Sequence, residues 1–494
     1  MLSRFEQIPN RARDALILVA LTLLAFVVFL QNAPFTRALS PDPSTLAALA
    51  LVAARPFGID DVSAMRLLFI ALAVSAVLLI YLFARDAFHS RAVGWFSALA
   101  LTSIGFLGAR AATGPEPKLV VLVFGIATCW AIQKRAAWWA GICAALAFLA
   151  WQIAGIYLGV AILALWLGAK PKTRWQQAGR VLAGFLLTLA PFVLYLAATG
   201  ALYDAWAQTI LGNFNFLREI AEGTGGIGLN IGQNLTKFGT ATWRCMAKER
   251  ALLLLGGAGA VSFTLQALIP LRRDKWSSAA WGALALSASA LGFAAISLID
   301  FQNCPDLLPF FTILALGCGW LITRIVEWVT LLVVRAAPKT AAWAPRALFT
   351  LATLVLLLYG TGDSLFTSSV SRLRAPQEKI AARVEQELQP GDTIQQYGDS
   401  IVLVLTGRTN ATPVLHLGPK QHQGIFFMYE NGLDGYIAYL DAHKPRVITL
   451  GRRKQEAWAK KLYTWIETNY RLVDSFDAKE GGTVNEIDLY VRNQ

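Results

Sequence analysis

Charge and metal-binding side chains are both scarce in this chain. Only 15% of its 494 residues are Asp, Glu, Lys or Arg, well below the quarter that soluble domains carry, which argues against an ordinary soluble protein. Four His and five Cys occur, with no CxxC pair, no HxxxH and no EF-hand loop, so zinc fingers, zinc proteases and calcium loops are excluded as readings. The Gly-rich stretch Gly223-Thr224-Gly225-Gly226 lacks a following Lys-Ser/Thr and is therefore not a phosphate-binding P-loop. Ionisable residues are nearly missing from the apolar runs, which disfavours ion-coupled transport.

What is present is hydrophobic length. Apolar residues make up 56% of the chain, and about 20 consecutive ones cross a bilayer. Spans are read near 15–31, 66–85, 92–109, 118–133, 137–151, 153–169, 179–199, 251–271, 278–299, 307–326 and 347–364, with Val326 to Val334 able to complete another. The expected fold is a polytopic α-helical membrane protein of about 11–13 transmembrane helices.

Loop charges orient it. Arg4, Arg11 and Arg13 precede the first span, and the even-numbered connections carry Arg85 and Arg91; Lys134 and Arg135; Lys170, Lys172, Arg174 and Arg180; Arg272, Arg273 and Lys275; and Arg335, Lys339 and Arg346. Basic loops stay cytoplasmic, so the N-terminus is expected inside. The stretch 366–494 holds 16 Lys/Arg against 15 Asp/Glu, which leaves +12 of the net +13 with the membrane part. The basic balance therefore signals topology and anionic-lipid contact rather than nucleic acid.

The chain divides near 366. Residues 1–365 form the membrane domain, with outer loops 32–65, 109–118 and 200–250. Residues 366–494 read as a small extracytoplasmic α/β domain: helices over 377–388, 400–405, 433–443 and 454–469, and strands over 393–397, 413–417, 445–450, 470–476 and 485–492. Leu202 to Ile220 carries Trp206, Ile210, Phe214 and Leu217 at helical spacing, which suits a helix on the membrane surface. Cys245 and Cys304 fall in outer loops, where a disulfide is chemically allowed, but their spacing gives no support for one.

Carboxylates on the outer face are the catalytic candidates, Asp300 and Asp306 between the ninth and tenth spans among them. Asp42 follows the first span in Ser40-Pro41-Asp42-Pro43-Ser44-Thr45, ahead of a helical stretch over 45–54, and Glu116 lies just before the fourth span. Either can take a proton from an acceptor hydroxyl or amine while cations bind an acidic leaving group. Either can also simply cap the helix that follows it. Asp60 and Asp61 read as caps, or as the one place for a divalent metal; no metal site and no cofactor is otherwise expected. The cations on this face include Arg55, Arg110, Lys118 and Arg244, suited to a lipid-linked phosphate and equally to snorkelling at the interface.

Several of these segments together resemble a family. Pro41-Asp42-Pro43-Ser44-Thr45-Leu46-Ala47, the helix and Gly58 that follow, Met65-Arg66-Leu67-Leu68, the Gly108 to Pro117 loop with Arg110 and Glu116, and Asn303-Cys304-Pro305-Asp306-Leu307-Leu308-Pro309-Phe310 are similar to GT-C glycosyltransferases of the dolichyl-phosphate-mannose protein mannosyltransferase and lipid A aminoarabinose transferase kind. The resemblance covers nearly the whole chain and is one of layout. It departs from the family at Pro43, where a second acid is usual, and at Gln302-Asn303, where the family has His-Tyr. It implies a GT-C-like bundle in the inner (plasma) membrane that moves a sugar from a polyprenyl-phosphate donor to a lipid, glycan or protein acceptor. Asp42 would then be the catalytic base, Glu116 a second acid, and Arg110, Arg55, Lys118 and Arg244 the candidates for the donor phosphate. Two rivals stand beside it: a transporter or flippase of lipid-linked sugars, and a non-catalytic envelope-assembly subunit whose function lies in the tail.

Overall fold

The structure, a computed structural model, describes residues 10–31, 61–113, 116–200, 202–206, 231–269, 278–298, 304–366, 371–397, 401–412, 414, 417, 425, 428–451, 457–480 and 483–493. They fall into two compact units: a helical one, from residues up to 192 and from 231 to 366, and a mixed one, from 193–206 and the chain after 371.

The helical unit begins with α1 (Asn10–Gln31), α2 (Asp61–Phe88), α3 (Arg91–Thr102), α4 (Gly105–Thr113), α5 (Pro117–Gln133), α6 (Ala137–Ala150), α7 (Ile156–Leu167) and α8 (Arg174–Ala198). After the one-turn α9 (Leu202–Trp206), which falls in the mixed unit, the helical unit resumes with α10 (Ile231–Cys245), α11 (Arg250–Leu268), α12 (Ser278–Ser297), α13 (Leu308–Ala336) and α14 (Ala344–Phe366). Among the described residues five helices are long and apolar enough to cross a membrane: α2, α8, α11, α12 and α13. The pair α3 and α4, bent by 64°, makes a sixth span, and Pro117–Gln133, Ala137–Ala150, Gln152–Leu167 and Ala344–Gly360 are shorter apolar helices. With α1, each of the eleven expected spans coincides with one of these. The chain is a multi-pass membrane protein.

Two expectations are corrected. Val326 to Val334 opens no separate span, because α13 runs unbroken for 29 residues. Cys245 and Cys304 are disulfide-bonded, Cα to Cα 5.7 Å. The reason lies in α11 and α13. A Cβ at Gly256 would run into the Leu314 backbone, and one at Gly259 into the Gly317 carbonyl, so glycine lets the two backbones touch, as small residues do between membrane helices. Both contacts carry an offset of 58 residues, meaning the helices run side by side in the same direction. The cysteines precede these helices with a separation of 59, almost the same register. Packing in the bilayer, not sequence spacing, brings the sulfurs together.

At the end of the bundle where α2 stops and α5 stops, acids neutralise part of the basic charge. Asp14 accepts from Arg91 Nε at 2.8 Å and Tyr81 Oη at 3.1 Å, and pairs with Arg85 at 3.1 Å. Asp86 pairs with Arg85 and Lys134, each at 2.7 Å.

The mixed unit contains α15 (Ser371–Glu387), β1 (Ile394–Tyr397), α16 (Ile401–Thr406), α17 (Leu433–His443), β2 (Val447–Gly451), α18 (Lys460–Asn469), β3 (Tyr470–Glu480) and β4 (Thr483–Arg492). The sheet order is β1-β2-β4-β3, with β1 parallel to β2 and the other pairs antiparallel. Helices cover both faces. Ile448, Leu450 and Tyr490 pack with Tyr436, Leu462 and Ile466, while Ile394, Val447 and Leu489 pack with Ile380, Val384 and Val402. Alternate residues of β2 thus enter different cores, as pleat geometry requires. Burial pushes the Tyr429 and Tyr470 phenols up to about 12, and those of Tyr397 and Tyr436, 2.7 Å apart, higher still.

The strand expected at 413–417 is not seen in its described residues, Val414 and Leu417. The Val414 carbonyl instead accepts from Gln395 Nε2 at 2.9 Å and Asn410 Nδ2 at 3.3 Å, and its N–H donates to Thr412 Oγ1 at 3.2 Å. Side chains have taken the groups a ladder would use. Of the surface helix expected over 202–220, only α9 falls among the described residues; the stretch 45–54 and the bend at 223–226 lie outside them.

Candidate active site

Four charged side chains meet where α5 and α13 begin. Pro117 opens α5 and Glu116 is its N-cap, its carboxylate accepting from the Lys118 N–H at 3.3 Å. Proline suits the first helical position because its missing N–H would have no partner there. The other Glu116 oxygen lies 3.9 Å from Arg110, at the end of α4. The Glu116 side chain is 7% exposed and that of Arg110 31%. The Arg110 guanidinium also sits over the Phe106 ring, 5.1 Å from its centre, which favours a cation electrostatically.

Lys118 forms an ion pair with Asp306, in the short turn Cys304–Leu307 that leads into α13. Asp306 is buried and Lys118 nearly so, 4% and 16% exposed. The Lys118 ammonium lies 5.0 Å above the Trp151 ring, and Trp151 stacks on Phe293 at 5.8 Å. The two pairs are joined through the backbone of residues 116–118.

The segment between α10 and α11 holds both pairs from behind. Glu249 accepts the Gly105 N–H at 3.0 Å, satisfying a backbone donor that a helix start leaves open. A Cβ on residue 105 would come within 2.9 Å of that carboxylate oxygen, so glycine makes the approach available. Glu249 therefore fixes the start of α4, which carries Arg110. Four residues earlier, Cys245 bonds Cys304, two residues before Asp306. One short stretch of chain thus fixes the start of α4, which carries Arg110, through a cap, and the turn that carries Asp306 through a disulfide.

Of the residues picked out from sequence, Glu116, Arg110, Lys118 and Asp306 come together. Arg244 is exposed in the last turn of α10, next to the disulfide. Asp42, Arg55, Asp60 and Asp300 lie outside the described residues, as does the side chain of Asp61. Glu249 carried no signal in the sequence beyond being an acid before an apolar run. Asp306 stands inside the Asn303 to Phe310 segment that carried the family resemblance. Among the described residues no three His, Cys, Asp or Glu side chains gather so as to hold a metal ion.

No protein-family model matches the sequence, and no curated protein matches it either. Solved structures do share its fold. ArnT from Cupriavidus metallidurans bound to undecaprenyl phosphate superposes with a TM-score of 0.54 at 12% identity, over 96% of this chain and 97% of that one. The apo state of the same protein gives 0.50 at 10% identity, over 95% and 92%. At such identities the likeness concerns fold, and the fold is GT-C-like, as the layout of the sequence implied.

Proposed function

We propose that this chain is an integral membrane glycosyltransferase that moves a sugar from a polyprenyl phosphate to a lipid, glycan or protein acceptor on the extracytoplasmic face. The observation that carries the reading is the Glu116–Arg110 pair: a buried carboxylate setting a partly exposed guanidinium at one end of a GT-C-like bundle. The ArnT structure of the same fold holds undecaprenyl phosphate, which supports a lipid-linked phosphate as the ligand class.

The chemistry asks for little else. The acceptor oxygen attacks the anomeric carbon, the bond from that carbon to the phosphate oxygen breaks, and the lipid phosphate leaves with the bonding electron pair. Its charge is met by Arg110, whose planar fork fits phosphate oxygens. The acceptor proton passes to a carboxylate, assigned to Asp42. Attack opposite the leaving group inverts the anomeric centre. Glu116 holds Arg110 in place, and Lys118, engaged by Asp306, keeps the helix entries aligned.

The test measures release of undecaprenyl phosphate from a panel of undecaprenyl-phosphate sugars by the purified full-length protein, with and without acceptor. Asp42→Asn should lower transfer by about 10²–10⁴-fold with unfolding behaviour unchanged. Wild-type transfer by that variant removes Asp42 as the base. Movement of intact donor across vesicles, with no glycosidic bond made, replaces the reading with a flippase.

A further inference from the structure

The far end of α5 carries a second feature, which the proposed reaction does not use. The helix runs 17 residues from Glu116, a rise of about 25 Å, and stops at Lys134 and Arg135. There Arg135, Ala164, Leu165, Lys170, Gln177 and Trp281 line a cavity of about 170 Å³, the space of several water molecules.

Its charge is one-sided. Between Pro117 and Tyr203 the sequence has no Asp or Glu, while Lys134, Arg135, Lys170, Lys172, Arg174 and Arg180 all fall there. Lys134 is taken by Asp86 and Arg174 sits over the Trp166 ring at 5.0 Å. Among the described residues Arg135 and Lys170 have no ion-pair partner, and both line the cavity. The Gln177 side-chain oxygen is buried there without a hydrogen bond. Two unpaired cations at one cavity are the complement of a phosphate group.

The cavity is also preformed, and exposed apolar surface adjoins it. Thr173 N and Oγ1 both bond the Lys170 carbonyl, at 2.8 and 3.1 Å, which fixes the turn carrying Lys170. A Cβ at residue 168 would fall 2.8 Å from the Trp281 indole nitrogen, so Gly168 admits that ring as a wall. Most of the remaining lining is apolar, and on α7, which carries Ala164 and Leu165, Leu163 and Leu167 are exposed, a surface along which an acyl chain can lie. A basic pocket between membrane helices, opening beside apolar surface, suits an anionic headgroup.

We propose that this cavity binds the phosphate of an anionic membrane phospholipid, with Arg135 and Lys170 as its cations. The proposal is independent of the glycosyltransferase reading, because its site lies at the opposite end of α5 from Glu116.

The test titrates phosphatidylglycerol, and phosphatidylcholine with the same acyl chains, into the full-length protein in neutral detergent, reading bound lipid by native mass spectrometry. Three proteins are compared: wild type, Arg135→Gln/Lys170→Gln, and Lys172→Gln/Arg180→Gln, which removes equal charge outside the lining. Wild type and the second pair should bind phosphatidylglycerol in preference to phosphatidylcholine. The first pair should bind it about a hundredfold more weakly, tenfold for each cation lost, with lipid-free unfolding unchanged since both side chains are exposed. Equal weakening by the two pairs, or equal binding of the two lipids by wild type, overturns the proposal. An inorganic phosphate arm separates the sources: if phosphate alone at matched concentration displaces phosphatidylglycerol, the site takes the free ion and the lipid assignment fails.

Discussion

Asp306→Ala is the sharpest test of how the candidate site is held. Asp306 and Lys118 are 4% and 16% exposed, so removing the carboxylate strands an ammonium in a largely dry setting. Breaking a buried pair from one side costs about 3–5 kcal/mol, whereas replacing both partners with apolar groups is often neutral. The Trp151 ring beneath Lys118 keeps roughly 1 kcal/mol of cation–π attraction, so the single variant should lose on the order of 3 kcal/mol. Lys118→Met/Asp306→Leu should recover to within about 1 kcal/mol of wild type. The assay is unfolding in detergent followed by circular dichroism at one scan rate, with transfer activity measured alongside. The single variant should unfold several degrees earlier, and the double variant near wild type but with transfer still impaired, because the entries to α5 and α13 are no longer tied by charge. If Asp306→Ala unfolds with wild type, or the double variant is as weak as the single, the pair is not the tie described.

Two further outcomes follow from named contacts. Reducing the Cys245–Cys304 bond, or replacing both cysteines with Ser, frees a loop of 59 residues, worth about 4 kcal/mol in the chain-entropy account; an unfolding temperature indifferent to reductant would refute the link. In the tail, Tyr397, Tyr429, Tyr436 and Tyr470 have raised folded-state values. An acid raised by folding contributes fully below its unfolded value, near 10, and the contribution is lost as pH climbs beyond that towards the folded value. Stability of this unit should therefore be flat from pH 7 to 9 and fall above 10, with at least these four phenols silent in ultraviolet titration until unfolding; their ionisation at pH 10 in the native protein would contradict the burial.

The bundle was legible because a span is a local property. About 20 apolar residues in a row leave few alternatives, and α2, α8 and α13 announce themselves in this way. Even so, the bend between α3 and α4 and the continuity of α13 past Val326 were not readable from apolar length alone. In the tail, β2 could be read from its short β-branched run and β4 from alternation, but Val414 shows the limit: β-type residues make no strand where Gln395 and Asn410 consume the carbonyl. The site was half visible. Arg110 and Glu116 stand six residues apart in sequence, so proximity could be guessed. Lys118 and Asp306 are separated by 188 residues, and only the packing of helices brings them within reach. The disulfide is the instructive case, since its register follows from Gly256, Gly259 and Gly317 once α11 and α13 are known to be neighbours.

Capping alone is a poor explanation of Glu116. A side chain at a helix N-cap contributes about 1 kcal/mol, and Ser, Thr, Asp or Asn supply it best. Burying an ionised carboxylate costs several kcal/mol unless partners offset it, and Glu116 is buried to 7% exposure while its bond to the Lys118 N–H is a long 3.3 Å. A shorter residue would cap α5 at lower cost. What a shorter residue would not do is reach Arg110, whose 3.9 Å approach leaves the guanidinium oriented yet able to exchange partners for a phosphate. Glu116→Asp separates the two roles: the cap survives and even improves, the reach to Arg110 shortens by one methylene, and so stability should hold while transfer falls.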